Sequence, residues 1–295
     1  MAASALPSLD PALRDRLQRS YAAATRERRT RTLMGLALLA AAILLAGWVA
    51  EVQPAKFFAN AGRFTKYLGD IAPTLSLATL PADLAEWFWG WKHWLALLGD
   101  TILIAYVGTL AGALGAFVLS FLAAANLARS RWACFAVRRL LEVCRTVPEL
   151  VFALVFVVAF GLGPLPGVLA IAIHTMGALG KLFAEVVENI DMKPVDGVVS
   201  TGATFVQSVR FAVVPQVLSN FASYALLRFE INVRGAAIMG FVGAGGIGQD
   251  LIEAIRKFYY TDVSAILVMI IATVMIIDFS TERLRHALLS AEARR

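Results

Sequence analysis

Charge is what this chain has least of: Asp, Glu, Lys and Arg together make up 16% of its 295 residues. Soluble domains carry about 25%, and 59% hydrophobic residues with a mean hydropathy of +0.71 take the chain out of the ordinary soluble globular class. Cysteine is nearly absent. Cys134 and Cys144 fall on one expected helix, too far apart for a bridge and too few for a metal site. The three histidines, His93, His174 and His286, are scattered, and neither a Ser/His/Asp ordering nor a cluster of metal ligands stands out. Catalysis, a metal centre and a bound cofactor are therefore not expected.

Phosphate-binding motifs are missing too. Gly180-Lys181 is followed by Leu182, and no Gly-x-x-x-x-Gly-Lys-Ser/Thr occurs, which excludes a Walker-type site for ATP hydrolysis. Gly243-x-Gly245-x-x-Gly248 has the letters of a dinucleotide fingerprint. That fingerprint needs a strand before it, a βαβ unit around it and an acid about 20 residues on; here long hydrophobic stretches lie on both sides. Gly243, Gly245, Gly246 and Gly248 are read instead as a tight turn at the outer membrane face, where glycine frees the backbone.

What the chain has is long apolar runs. Six match the roughly 20 residues a helix needs to cross a bilayer: 33–50, 95–122, 141–160, 167–184, 216–241 and 262–280. The first run could be a signal peptide, with small residues such as Ala59 and Ala61 after it, but the basic segment before it is much longer than a usual leader. An all-α polytopic membrane protein is expected, embedded in the bilayer. Its parts read as a basic segment 1–32, a first span 33–50, an external segment 51–94, a transmembrane domain 95–285 and a tail 286–295.

Positive charge sets the orientation. Arg14, Arg16, Arg19, Arg26, Arg28, Arg29 and Arg31 precede the first span, so the N-terminus is expected inside. Threading six spans from there puts Arg129, Arg131, Arg138 and Arg139, the polar break 181–210, and Arg283, Arg285, Arg294 and Arg295 on the same side. Most of the 27 basic residues then lie inside, with both termini cytoplasmic. The net charge of +6 reads as topology, and because it is divided among loops, nucleic acid is not an expected partner. Trp87, Phe88, Trp89, Trp91 and Trp94, at the end of the external segment, read as an interfacial anchor or a contact for an external protein.

The polar break between the fourth and fifth runs carries the most specific pattern. Met192-Lys193-Pro194 reads as a turn and Val195–Val209 as a short helix with Asp196 in its first turn, where an acid suits the helix dipole. Gly202 gives close approach to another surface or permits a bend, and Pro215 is expected to stop the short helix and begin the fifth span. The pattern Asp196-Gly197-Val198, then Gly202, then Val214-Pro215 resembles the EAA loop of binding-protein-dependent ABC importer permeases, with Asp-Gly where Glu-Ala is usual. A finer resemblance, over about residues 95–285, is to the permeases of phosphonate ABC importers. It rests on Arg145-Thr146-Val147-Pro148-Glu149, Gly161-Leu162-Gly163-Pro164, Glu185 with Glu188, Pro215-Gln216, Asn232-Val233-Arg234 and Gly243–Gly248.

That resemblance implies a type I importer permease in the inner membrane of a bacterium. It further implies a second copy of the chain, two cytoplasmic ATP-binding subunits and a periplasmic substrate-binding protein as partners. Asp196, Gly197, Gly202 and Pro215 would form the element that docks on the ATP-binding subunit. Charges within the spans mark a candidate pathway: Arg228, Glu230 and Arg234 in the fifth run, His174 in the fourth, and Arg145 with Glu149 around Pro148. Each costs roughly 2.5 to 3.5 kcal/mol at mid-bilayer unless it faces water or a partner. Glu230 and Arg234 are spaced to pair along one helix face, Arg145 is near enough to the interface to snorkel, and a cationic excess suits an anionic substrate. Permeases for phosphate, phosphite or another solute, and a stand-alone secondary transporter, are the alternatives; no internal repeat supports the last.

Overall fold

The computed structural model describes residues 11–128 and 130–292. Arg129, Arg294 and Arg295 lie outside the described residues, as does the side chain of Arg14. All regular structure among the described residues is helical, in two units, 1–67 and 68–295.

The first unit is made of α1 (Pro11–Val49) and most of α2 (Pro54–Ile71). Sequence reading separates a basic segment from a first span, whereas the structure joins them in one helix of 39 residues. Good helix formers fill the stretch from Ser20 to Arg31, and no proline interrupts it.

The second unit begins with the end of α2 and continues with α3 (Leu80–Trp87) and α4 (Trp91–Ala123). The indole of Trp87 donates to Ser264 Oγ at 2.9 Å and that of Trp89 to Asp262 Oδ1 at 3.0 Å, while Trp94 is buried. These tryptophans tie α3 and the start of α4 to the start of α12 (Tyr260–Glu292), and only Trp89 and Trp91 keep the exposure of an interfacial anchor.

At the centre, α4 packs on α7 (Pro164–Glu188), and α7 on α5 (Arg131–Thr146). Small residues set the spacing. A Cβ at Gly112 would lie 2.6 Å from the Ala172 carbonyl, and one at Gly177 2.6 Å from that of Leu141. Bilayer helices gain little from apolar burial against one another, so such close backbone approach is what holds them together. Both cysteines are free and buried on α5; Cys134 Sγ and Arg138 Nε donate to the Ala123 carbonyl at the end of α4.

The third expected span is not one helix. It bends by 85° between α5 and α6 (Glu149–Phe160). Pro148 disfavours helical geometry at Val147 and itself becomes the N-cap of α6. With 12 residues α6 is about 18 Å long, short of the roughly 30 Å hydrocarbon core. Among the described residues, four helices are long and apolar enough to cross alone, and six spans result if the two bent pairs each count as one. The second bent pair turns by 49° between the helix ending at Val242 and α11 (Ile247–Arg256).

Between α7 and the fifth span lie α8 (Met192–Ser200), α9 (Phe205–Ser208), a π-helical segment Val209–Val213 and α10 (Val214–Met239). Three expectations are corrected here. The short helix occupies 192–200, not 195–209, and is capped by Asp191, whose carboxylate accepts from Lys193 N at 3.0 Å. Asp196 consequently lies beyond the first turn. Pro215 stops nothing: the chain is helical from Phe205 through Met239, and the wide π turns, with Val214 N bonded to Val209 O, fit the proline's missing N–H into the ladder. The break falls instead at Gly202, whose φ of +85° L side chains rarely adopt. At the far end, α12 runs to Glu292, so most of the expected tail is helix.

Candidate coupling element and intramembrane charge cluster

The element centred on α8 is built to present one face outward. Val195 is buried among Phe183, Val187 and Val213, while Asp196, Gly197 and Val199 are exposed. Gln216 holds it. Its amide oxygen accepts from Asp191 N at 3.1 Å, and its nitrogen donates to the carbonyls of Asp191 (3.2 Å) and Ala212 (2.7 Å). One side chain thus fastens the start of α8 to the π segment and to α10. Beneath them Phe183 and Phe221 stack with ring centroids 3.9 Å apart. Gly202 has nothing within 4 Å of where its Cβ would be, so the left-handed backbone, and no steric limit, calls for glycine there. Pro215 is exposed on the first turn of α10. The sequence signal for Gln216 was its place after Pro215; the clamp it makes depends on α8 folding back onto α10.

At the other end of α10 the glycine turn meets a second one. Gly243, Gly245 and Gly246 all have positive φ, as do Gly161 and Gly163. Gly163 N donates to the Gly243 carbonyl at 3.0 Å, and a Cβ at Gly245 would press on Pro164. Thr101 Oγ1 accepts from Ile247 N at 2.9 Å, capping α11 from α4. Gly248 lies against the Ala237 carbonyl and Gly240. The two turns form a latch between α6–α7 and α10–α11, and the element that leads into the glycines is helix, not the strand a dinucleotide site requires.

The candidate pathway residues separate into three groups. Arg228 and His174 meet. The guanidinium lies against His174 Nδ1, and Glu149 Oε2, at the break between α5 and α6, is 3.8 Å from both. An arginine only donates, so Nδ1 is the acceptor and the imidazole is neutral in this arrangement. All three side chains are largely buried, with relative exposures of 15% for Arg228, 18% for His174 and 23% for Glu149. Gly235, two turns along α10 from Arg228, leaves room for the Glu149 carboxylate. Between them on the same face, Asn232 donates to Thr109 Oγ1 and Thr175 Oγ1, both at 2.8 Å, joining α10 to α4 and α7.

Glu230 and Arg234 are on another face of α10. They pair with each other, and Arg234 reaches Asp278 of α12 at 3.4 Å while Thr281 Oγ1 approaches Glu230 Oε2 at 3.5 Å. That is a clamp between helices. Arg145 forms the third group, with Glu142 at 3.9 Å, on a cleft also lined by Lys181 and Glu185. Glu149 was noted in the sequence beside Pro148, but its contact with Arg228 arises only because the helix breaks there.

A family model described as "Binding-protein-dependent transport system inner membrane component" matches residues 116–291. The chain belongs to that family. It is a permease, the non-catalytic membrane subunit, and ATP hydrolysis belongs to a separate subunit. Over 248 residues, 84% of this chain and 86% of the other, the permease is 39% identical to the phosphite transport system permease protein PtxC of Stutzerimonas stutzeri. It is 38% identical over 190 residues, 64% of this chain and 36% of the other, to the phosphate-import permease protein PhnE of Mycolicibacterium smegmatis. A third relative, the putative cryptic phosphonate transport system permease protein PhnE2 of Escherichia coli K12, is 50% identical over 117 residues, 40% of this chain and 96% of the other. In fold, the permease resembles the inward-facing MetNI methionine ABC transporter (TM-score 0.57, 20% identity, 66% of this chain and 95% of that one). It also resembles a bacterial ABC transporter that imports alginate (TM-score 0.56, 12% identity, 83% and 97%). The all-α type I importer permease architecture expected from the sequence is the one observed.

Proposed function

We propose that this permease moves phosphonates inward across the cytoplasmic membrane by ATP-driven alternating access, as one of two copies that together form the pathway. Two ATP-binding subunits would engage the exposed face of α8, around Asp196 and Gly197, from the cytoplasm. A periplasmic binding protein would deliver substrate at the end where the glycine turns meet. Both termini are then cytoplasmic, in keeping with the arginine distribution. What supports an oxyanion cargo is Arg228, a cation held at membrane depth beside a neutral histidine and a single loosely placed acid, together with relatives named for phosphite, phosphate and phosphonate.

The test is uptake of radiolabelled methylphosphonate by cells with and without the chain. Deletion should abolish uptake and the restored chain should return it; uptake unaffected by deletion would reject the proposal. A second reading, phosphite as the main cargo, is favoured by the 84% coverage of the phosphite permease likeness. Competition by unlabelled phosphite, phosphate and methylphosphonate ranks the three.

A further inference from the structure

The groups around Glu149 have unused hydrogen-bonding capacity of two opposite kinds. Arg228 Nε is a buried donor and Glu149 Oε2 a buried acceptor, and neither has a hydrogen-bond partner among the described residues. They approach only to 3.8 Å, through a different nitrogen of the guanidinium. One turn along α10, Asn232 Oδ1 is a further buried acceptor without a partner, its amide nitrogen being engaged by two threonines. A half-satisfied network in a low-dielectric interior is costly, so a ligand that completes it is strongly favoured over one that meets only half.

Resting on the oxyanion reading above, we propose that Glu149 makes this site selective for oxyanions that carry a proton. The ligand must offer acceptor oxygens to Arg228 and, at the same time, a donor to Glu149. A singly protonated phosphonate, phosphite or phosphate has both: P–O oxygens for the guanidinium and a P–O–H for the carboxylate. Sulfate has only acceptors and would set an oxygen of its own charge against the carboxylate. Glu149 is a specificity-determining residue; it reads the proton, and Arg228 reads the charge.

In the conformation described, the unpartnered atoms are shielded from solvent, and Gly235 lets the carboxylate rest directly on the backbone of α10. The ligand therefore reaches them when α6 moves away from α10. Glu149 is faced by Arg228 from α10 and His174 from α7, and α5 brings the Arg145 backbone close to the imidazole. Any change of charge on His174 acts on every anion alike, whereas the ligand proton belongs to the phosphonate alone. The ratio of methylphosphonate to sulfate affinity isolates the effect.

The experiment is equilibrium binding of labelled methylphosphonate and labelled sulfate to the permease assembled with its ATP-binding subunits in lipid nanodiscs, without binding protein, at pH 6 and pH 9. Wild type should prefer methylphosphonate by about tenfold or more at pH 6 and lose most of that preference at pH 9. Glu149→Gln, whose amide donates, should bring the two anions within about threefold at both pH values. The phosphorus resonance of bound methylphosphonate gives a check that needs no variant, since it should be that of the protonated form at a pH where the free anion has lost its proton. Equal wild-type affinity for both anions, an unprotonated bound probe, or unchanged discrimination in Glu149→Gln overturns the proposal. Failure of the underlying reading looks different: methylphosphonate then binds no better to wild type than to Arg228→Gln, or does not bind at all.

Discussion

Arg228 and Arg234 lie on different faces of one helix and have opposite expected roles. Arg228 is packed against His174 with its acid at 3.8 Å, so neutralising it removes charge from the pathway without uncovering a tightly bound carboxylate. Arg228→Gln should lower transport by roughly tenfold or more while the complex assembles and its binding protein still stimulates ATP hydrolysis; unchanged uptake kinetics would take the residue out of the pathway. Arg234 joins Glu230 to Asp278, and Glu230 is 15% exposed. Arg234→Gln strands that acid and should destabilise the assembled complex by about 1 to 3 kcal/mol, a figure reduced because Arg234 itself is 48% exposed. Thermal unfolding of the purified complex measures it, and an unshifted transition would argue against the clamp. The Glu230–Arg234 pair was legible from spacing alone, because helical neighbours four apart meet. The partner of Arg228 was not, since Glu149 is on another helix, at the break between α5 and α6.

The element joining the fourth and fifth spans shows how position and conformation can be read with unequal success. The sequence expects a short helix between the two spans, and one is present at 192–200; it assigns the helix break to Pro215, and the structure assigns it to Gly202. Proline is a poor stop where a π turn absorbs its missing donor, and nothing in Val209–Val213 announces that turn. Gly202→Val forces an L side chain into φ near +85° at a cost of about 1 to 2 kcal/mol, enough to displace α8 from the Gln216 clamp. Asp196→Lys reverses charge on the exposed face and leaves the clamp alone. Both should uncouple uptake from ATP hydrolysis with insertion intact. Only Gly202→Val should also increase protease sensitivity of the loop. Normal ATP-driven uptake in both variants, with the ATP-binding subunit still attached, would contradict docking at α8.

For the whole molecule, apolar runs were sufficient for the fold class, because bilayer thickness acts on composition directly; the six spans they imply are reached among the described residues only if each bent pair counts as one. The bend at Pro148 escaped that reading, because hydropathy is blind to direction, whereas the turn at Gly243–Gly248 was legible from its glycines. Orientation has its own test. A cysteine at Phe58 should react with an impermeant thiol reagent from outside the cell and one at Ser200 only after the membrane is opened, and the reverse pattern would invert the topology. The central claim is ATP-driven uptake of a phosphorus oxyanion by a passive permease, and it is tested most directly in proteoliposomes holding the assembled complex, with loaded binding protein outside and ATP inside. Labelled methylphosphonate should accumulate against its gradient only with ATP in the lumen, and replacing ATP by a non-hydrolysable analogue should stop it. Accumulation that needs no ATP, or that follows a proton or sodium gradient, would contradict the account.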